Sequence, residues 1–171
     1  KNENAAVGDI KTKSYTAHDV RKHTLWGTLM AGGAGVEYYF GYALPQNDLV
    51  CQDLRSRDQS WDYCRIALDF FHKEKIPFHE MTNANALIGN KSNDNSRYCL
   101  AKPGEIYLVY LPNGGTCDLD LSEEQDGFTV SWFNPRTGGP LATAGKISGG
   151  KMEKLEAPAA NDWLAVVAKE K

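Results

Sequence analysis

The chain has 171 residues, 42% of them apolar and 24% charged, and 19 basic against 22 acidic side chains give a formal charge of −3, an ordinary globular composition. That length falls short of the roughly 250 residues typical of a closed (β/α)₈ barrel, so a complete barrel with a further domain is excluded. The near-neutral balance has no Lys/Arg block to track phosphates, which removes nucleic acid as a partner class, and no apolar run reaches the roughly 20 residues that span a bilayer.

The opening KNENAAVGDI has neither an initiator Met nor a signal-like layout and reads as the interior of a longer protein. From Ala17 to Ala31 the apolar residues Val20, Leu25, Trp26, Leu29 and Met30 recur at helical spacing behind a charged first turn, His18 to Lys22. Gly32, Gly33 and Gly35 break that helix, and Val36-Glu37-Tyr38-Tyr39-Phe40 follows as a β-branched and aromatic run of strand length. A polar loop with Pro45, Asp48 and Asp53 leads to a second helical pattern from Asp58 to Lys75, which Pro77 stops. Five Asn between Thr82 and Arg97 mark a surface connection.

Beyond Tyr98 the period becomes two. Glu105 to Leu111 reads as a strand, Pro112-Asn113-Gly114-Gly115 as a turn, and Cys117 to Leu121 as the returning strand of a hairpin with one buried face. Phe128 to Trp132 alternates again, Asn134 to Gly139 is a turn, and Asp162 to Val167 is a closing strand. Short strands at this spacing predict an antiparallel β-sandwich with Tyr107, Tyr110, Trp132 and Trp163 in its core.

Glu37 stands inside an apolar run, where a carboxylate is either paired or faces water. On a barrel strand Glu37 and Tyr39 share a face, with Tyr42 and Asp48 just beyond it. Such a set lines a sugar-sized pocket, or else Glu37 forms a structural ion pair. Arg55 and Arg57 alternate with Asp53 and Asp58 before the second helix and either cap and order the loop or hold it over a substrate by bidentate pairing. His79-Glu80 lacks the second His of HExxH, and there is no GxSxG or P-loop, so no metal or cofactor is expected. Asp118 and Asp120 alternate with leucines and belong to a solvated strand face. The four cysteines, Cys51, Cys64, Cys99 and Cys117, are neither CxxC nor dense and read as buried thiols, with Cys99 and Cys117 the favoured pair if one bridge forms.

Arg21-Lys22, Leu25-Trp26-Gly27 and the run from Leu29 through Gly35 to Gly41 resemble the last strand region of apiosidase-like (β/α)₈ glycoside hydrolases. Tyr98-Cys99-Leu100-Ala101, Tyr107 to Pro112 and Trp132-Phe133-Asn134-Pro135-Arg136-Thr137-Gly138 look like the sandwich that follows such barrels, labelled "putative collagen-binding domain of a collagenase". The resemblance implies an α+β chain: the last βα units of a barrel over 1–82, a linker over 83–97 and an all-β sandwich over 98–171. It implies carbohydrate, as polysaccharide or glycoside, or a collagen-like protein as partner, and a secreted or periplasmic location. Catalytic carboxylates of such hydrolases sit on earlier strands, so the chain alone is expected to be inactive. KNENAA matches no motif of the family closely enough to give Glu3 a role.

Overall fold

The computed structural model describes residues 16–38 and 58–170. A first helix runs through three segments, α-helical Ala17–Asp19, π-helical Val20–Trp26 and α-helical Gly27–Met30. Thr16 starts it with a capping box: the Asp19 amide donates to Thr16 Oγ1 at 3.2 Å, and the Thr16 amide donates back to Asp19 Oδ2 at 2.9 Å. The second helix, Asp58–Lys73, ends where Lys75 turns to φ +52° ahead of Pro77.

Eight strands follow: β1 (Thr82–Asn83), β2 (Tyr98–Lys102), β3 (Ile106–Leu111), β4 (Thr116–Asp120), β5 (Gly127–Phe133), β6 (Ala142–Ser148), β7 (Met152–Glu156) and β8 (Trp163–Lys169). Six form an antiparallel sheet in the order β1-β2-β3-β8-β5-β6, and β4 pairs with β7 in a separate antiparallel ribbon. The antiparallel sandwich is therefore present. It has a third layer, because the two helices lie on the outer face of the large sheet. Period-two alternation sorts the side chains: Leu100, Leu108, Tyr110, Phe133 and Leu164 meet Trp26, Met30, Ile66 and Phe70 of the helices, while Cys99, Tyr107, Val109, Phe128 and Val167 meet Leu119 and Leu155 of the ribbon. Burial on both faces explains why Ile106 to Leu111 reads as an unbroken apolar run. Trp26, fully buried, stacks on Tyr110 at 5.8 Å and packs on Phe133 at 6.0 Å. Burying such a ring stabilises by roughly 1.5–3 kcal/mol.

The expected hairpin between Glu105–Leu111 and Cys117–Leu121 does not form. Both edges of β3 are taken, by β2 and β8, and the intervening turn carries the chain into the other sheet. Gly114 makes that crossing possible: its φ is +67°, and a Cβ there would lie 2.3 Å from the Ala159 carbonyl oxygen. Val36 to Tyr38 is not in a strand, and Tyr39 and Phe40 lie outside the described residues.

The Asn-rich stretch is ordered by its own amides. Asn85 Oδ1 accepts from the Cys99 amide at 2.7 Å, and Asn90 Nδ2 donates to the Asp94 and Arg97 carbonyls at 2.9 and 2.7 Å. β1 ahead of it adds to the edge of the large sheet beside β2. Cys99 and Cys117 are free thiols in the core between the sheets.

Candidate functional site

The seam between helices and sandwich is closed by ions. Arg21 lies in the π-helical segment, whose buried side also carries Leu25 and Trp26, and π-helical turns recur at functional positions. Its guanidinium pairs with Asp162, just ahead of β8, in bidentate fashion: Nε donates to Oδ2 at 3.0 Å and Nη2 to Oδ1 at 2.7 Å. The two side chains are 2% and 0% exposed. Tyr110 of β3 donates its hydroxyl to Asp162 Oδ2 at 3.2 Å, and burial beside this carboxylate pushes the Tyr110 phenol well above its ordinary pKa.

Two further contacts widen the cluster. The remaining Arg21 nitrogen donates to His18 Nδ1 at 2.9 Å, the Tyr63 hydroxyl lies 3.0 Å from the same nitrogen, and the guanidinium lies 4.6 Å above the Tyr63 ring. On the sandwich side Arg136 sits 3.8 Å from Asp162 Oδ1 and stacks on Trp163 at 4.8 Å. Asn134 fixes the backbone of this turn, its Oδ1 accepting from the Arg136 amide at 3.0 Å and its carbonyl from the Gly138 amide at 2.9 Å. One cluster thus ties both helices, β3, the β5–β6 turn and the start of β8. The Arg21–Asp162 pair at its centre is out of reach of solvent and fastens elements together, while His18 and Arg136 reach its open edge.

Beside it lies an open groove of about 470 Å³ between the second helix and the turn Thr137 to Pro140. Arg65, Asp69, Lys73 and Glu74 form the helix wall, and Phe133 lies at the floor with Phe70. Gly138 has φ +68°, and a Cβ built on it would lie 3.4 Å from Ile66 Cγ1. Among the described residues no three His, Cys, Asp or Glu gather as metal ligands, and no helix is long and apolar enough to cross a membrane.

Of the residues singled out from sequence, Glu37 is exposed and stands outside regular structure. Tyr39, Tyr42, Asp48, Arg55 and Arg57 lie outside the described residues. The residues that sequence reasoning missed are Arg21, Asp162 and Arg136. Arg21 reads locally as part of a charged first turn, and Asp162 as the first residue of the closing strand. The available signal was Arg21 itself, set among Val20, Leu25 and Trp26 on one helix.

Comparison with known proteins adds the family. No curated protein matches the chain. A solved structure titled "Glycoside hydrolase" superposes with a TM-score of 0.72 at 16% identity, over 96% of this chain and 40% of that one. A glycoside hydrolase family 5 structure from Bacteroides vulgatus ATCC 8482 superposes with a TM-score of 0.68 at 17% identity, over 94% of this chain and 38% of that one. The chain therefore spans about two fifths of the length of these structures and shares the fold of that portion. Residues 83–168, half of the chain, match the family described as "Putative collagen-binding domain of a collagenase", and the chain belongs to that family.

Proposed function

We propose that this chain is the C-terminal portion of an apiosidase-like glycoside hydrolase, in which the sandwich braces the last helices of a (β/α)₈ barrel and has no catalytic activity of its own. The observation that carries this reading is the buried Arg21–Asp162 pair, which joins a helix at one end of the chain to the sandwich at the other. The fold shared with two glycoside hydrolase structures supports the parentage. A brace needs a sealed, specific seam, and a bidentate ion pair out of water supplies direction that apolar packing alone lacks.

Hydrogen exchange on the intact chain tests the brace. Asp162→Asn should deprotect amides of Val20 to Met30 while β3 and β8 stay protected, and unchanged protection of the helix would reject it. Incubation with a panel of aryl glycosides tests silence: no turnover is expected, whereas turnover abolished by Glu37→Gln would overturn it. A secreted or periplasmic location goes with this reading, and recovery of the protein from the cytosolic fraction alone would count against it.

A second reading is an independent module that binds polysaccharide or collagen-like protein, and the open groove favours its polysaccharide form. Retention of the folded chain on insoluble polysaccharide or collagen would support it, and passage through both would reject it.

A further inference from the structure

The groove at the seam has a wall chemistry that narrows what it can hold. Asp69 stands at its centre and accepts from Lys73 at 3.0 Å, with Arg65 3.8 Å away; Arg65 is drawn back by Asp62 at 3.0 Å. Glu74 follows one residue beyond Lys73 on the same wall. Two cations and two carboxylates leave the helix wall without net charge, so it neither concentrates polyanions nor attracts polycations. It presents ionised donors and acceptors, with Arg65, Asp69 and Lys73 held in a row by their own pairing. The opposite wall is tight turn backbone at Thr137, Gly138 and Gly139.

An extended proline-rich chain needs exposed rings on which to lay its pyrrolidines. Phe70 and Phe133 are 2% and 3% exposed and offer no such platform. Vicinal hydroxyls, which donate and accept at once, suit a wall of alternating carboxylate, guanidinium and ammonium, and hydrogen bonds to charged groups are the stronger kind. A volume of about 470 Å³ lies within the range of small-molecule sites, roughly 300–1,000 Å³.

We infer that this groove binds a short uncharged oligosaccharide edge-on, with Asp69, Glu74 and Arg65 taking its hydroxyls and the Gly138–Gly139 backbone closing the other side. The inference rests on the reading of the chain as part of a carbohydrate-acting protein. It places the ligand at the seam and away from Glu37.

The test is an amide NMR titration of the intact chain with cellotriose, xylotriose, arabinotriose and mannotriose, each at millimolar concentration. At least one should shift Thr137, Gly138, Gly139 and Asp69. Asp69→Asn and Glu74→Gln, checked for native circular dichroism, should each weaken that binding about tenfold. The ion pairs of Asp69 are exposed and contribute little to stability, and Glu74 is an exposed residue just past the helix, so both variants should fold. No shifts with any trisaccharide, shifts confined elsewhere, or binding indifferent to both substitutions would overturn the site. So would tighter binding of trigalacturonate or of a Gly-Pro-hydroxyproline peptide. Asp69→Asn should leave exchange protection of the first helix intact, which separates failure of this site from failure of the brace.

Discussion

Arg21 and Asp162, 141 positions apart in the chain, meet through two parallel hydrogen bonds with neither side chain open to water. Asp162→Ala or Arg21→Ala leaves the partner charged and buried, and each should destabilise the fold by about 3–5 kcal/mol. Replacing both by apolar residues of similar volume should recover most of that loss. Urea denaturation of the four proteins checks the cycle, and equal effects of single and double variants would contradict it.

His18 must accept at Nδ1, because Arg21 can only donate, so its proton resides on Nε2. Nitrogen-15 spectra of the neutral ring should show that tautomer. His18→Phe should cost about 1 kcal/mol through the lost contacts to Arg21 and Tyr63.

The capping box gives the first helix an acid limit. Hydrogen bonds from the Thr16 side chain and backbone hold the Asp19 carboxyl below its ordinary pKa. A carboxyl depressed by folding contributes stability that is complete above its unfolded value and is lost as pH falls through the folded one. Stability should therefore hold from neutrality down to the ordinary carboxylate range and fall below it. Thr16→Ala should cost about 1 kcal/mol at pH 7 and flatten the acid limb, as read from urea melts across pH.

Burial pushes the Cys99 and Cys117 thiols up, with Arg97 at 3.8 Å partly opposing the effect at Cys117. Both should resist iodoacetamide in the native protein and alkylate on unfolding. Peptide mapping after native and denatured labelling would show this, and rapid native labelling of either would refute their burial.

Gly138→Ala places a Cβ at a positive φ and against Ile66. It should cost about 1 kcal/mol or more and narrow the groove, with thermal melting as the measure.

The strands were legible because their alternation is local. Tyr107, Tyr110 and Trp132 are core residues as their pattern indicates, Trp163 is half-buried beside them, and the second helix ends at Lys73, ahead of Pro77 as expected. Pairing was less legible: the run Cys117 to Leu121 carries a hairpin pattern whichever strand it joins, and it joins β7 because the edges of β3 are filled. The clamp was legible only in Arg21's place among Val20, Leu25 and Trp26, and its partner was not. Arg21 beside Lys22 looks like part of a charged turn, Asp162 looks like the polar start of a strand, and their meeting in space gives both their role. The continuous apolar character of β3 was the one local hint that a second layer covers its outer face.

That two-sided burial bears on how such a module can be inherited. The segment that defines the family, 83–168, carries Leu100, Leu108, Tyr110, Phe133 and Leu164 on one face of its sheet, and everything that shields them lies upstream. Cut at residue 83, the segment would bare a continuous greasy patch and favour clumping over solubility. The portable unit is then longer than its recognisable sequence. A gene fusion that transplants the sandwich succeeds only if it also transplants the two helices or supplies a substitute for them.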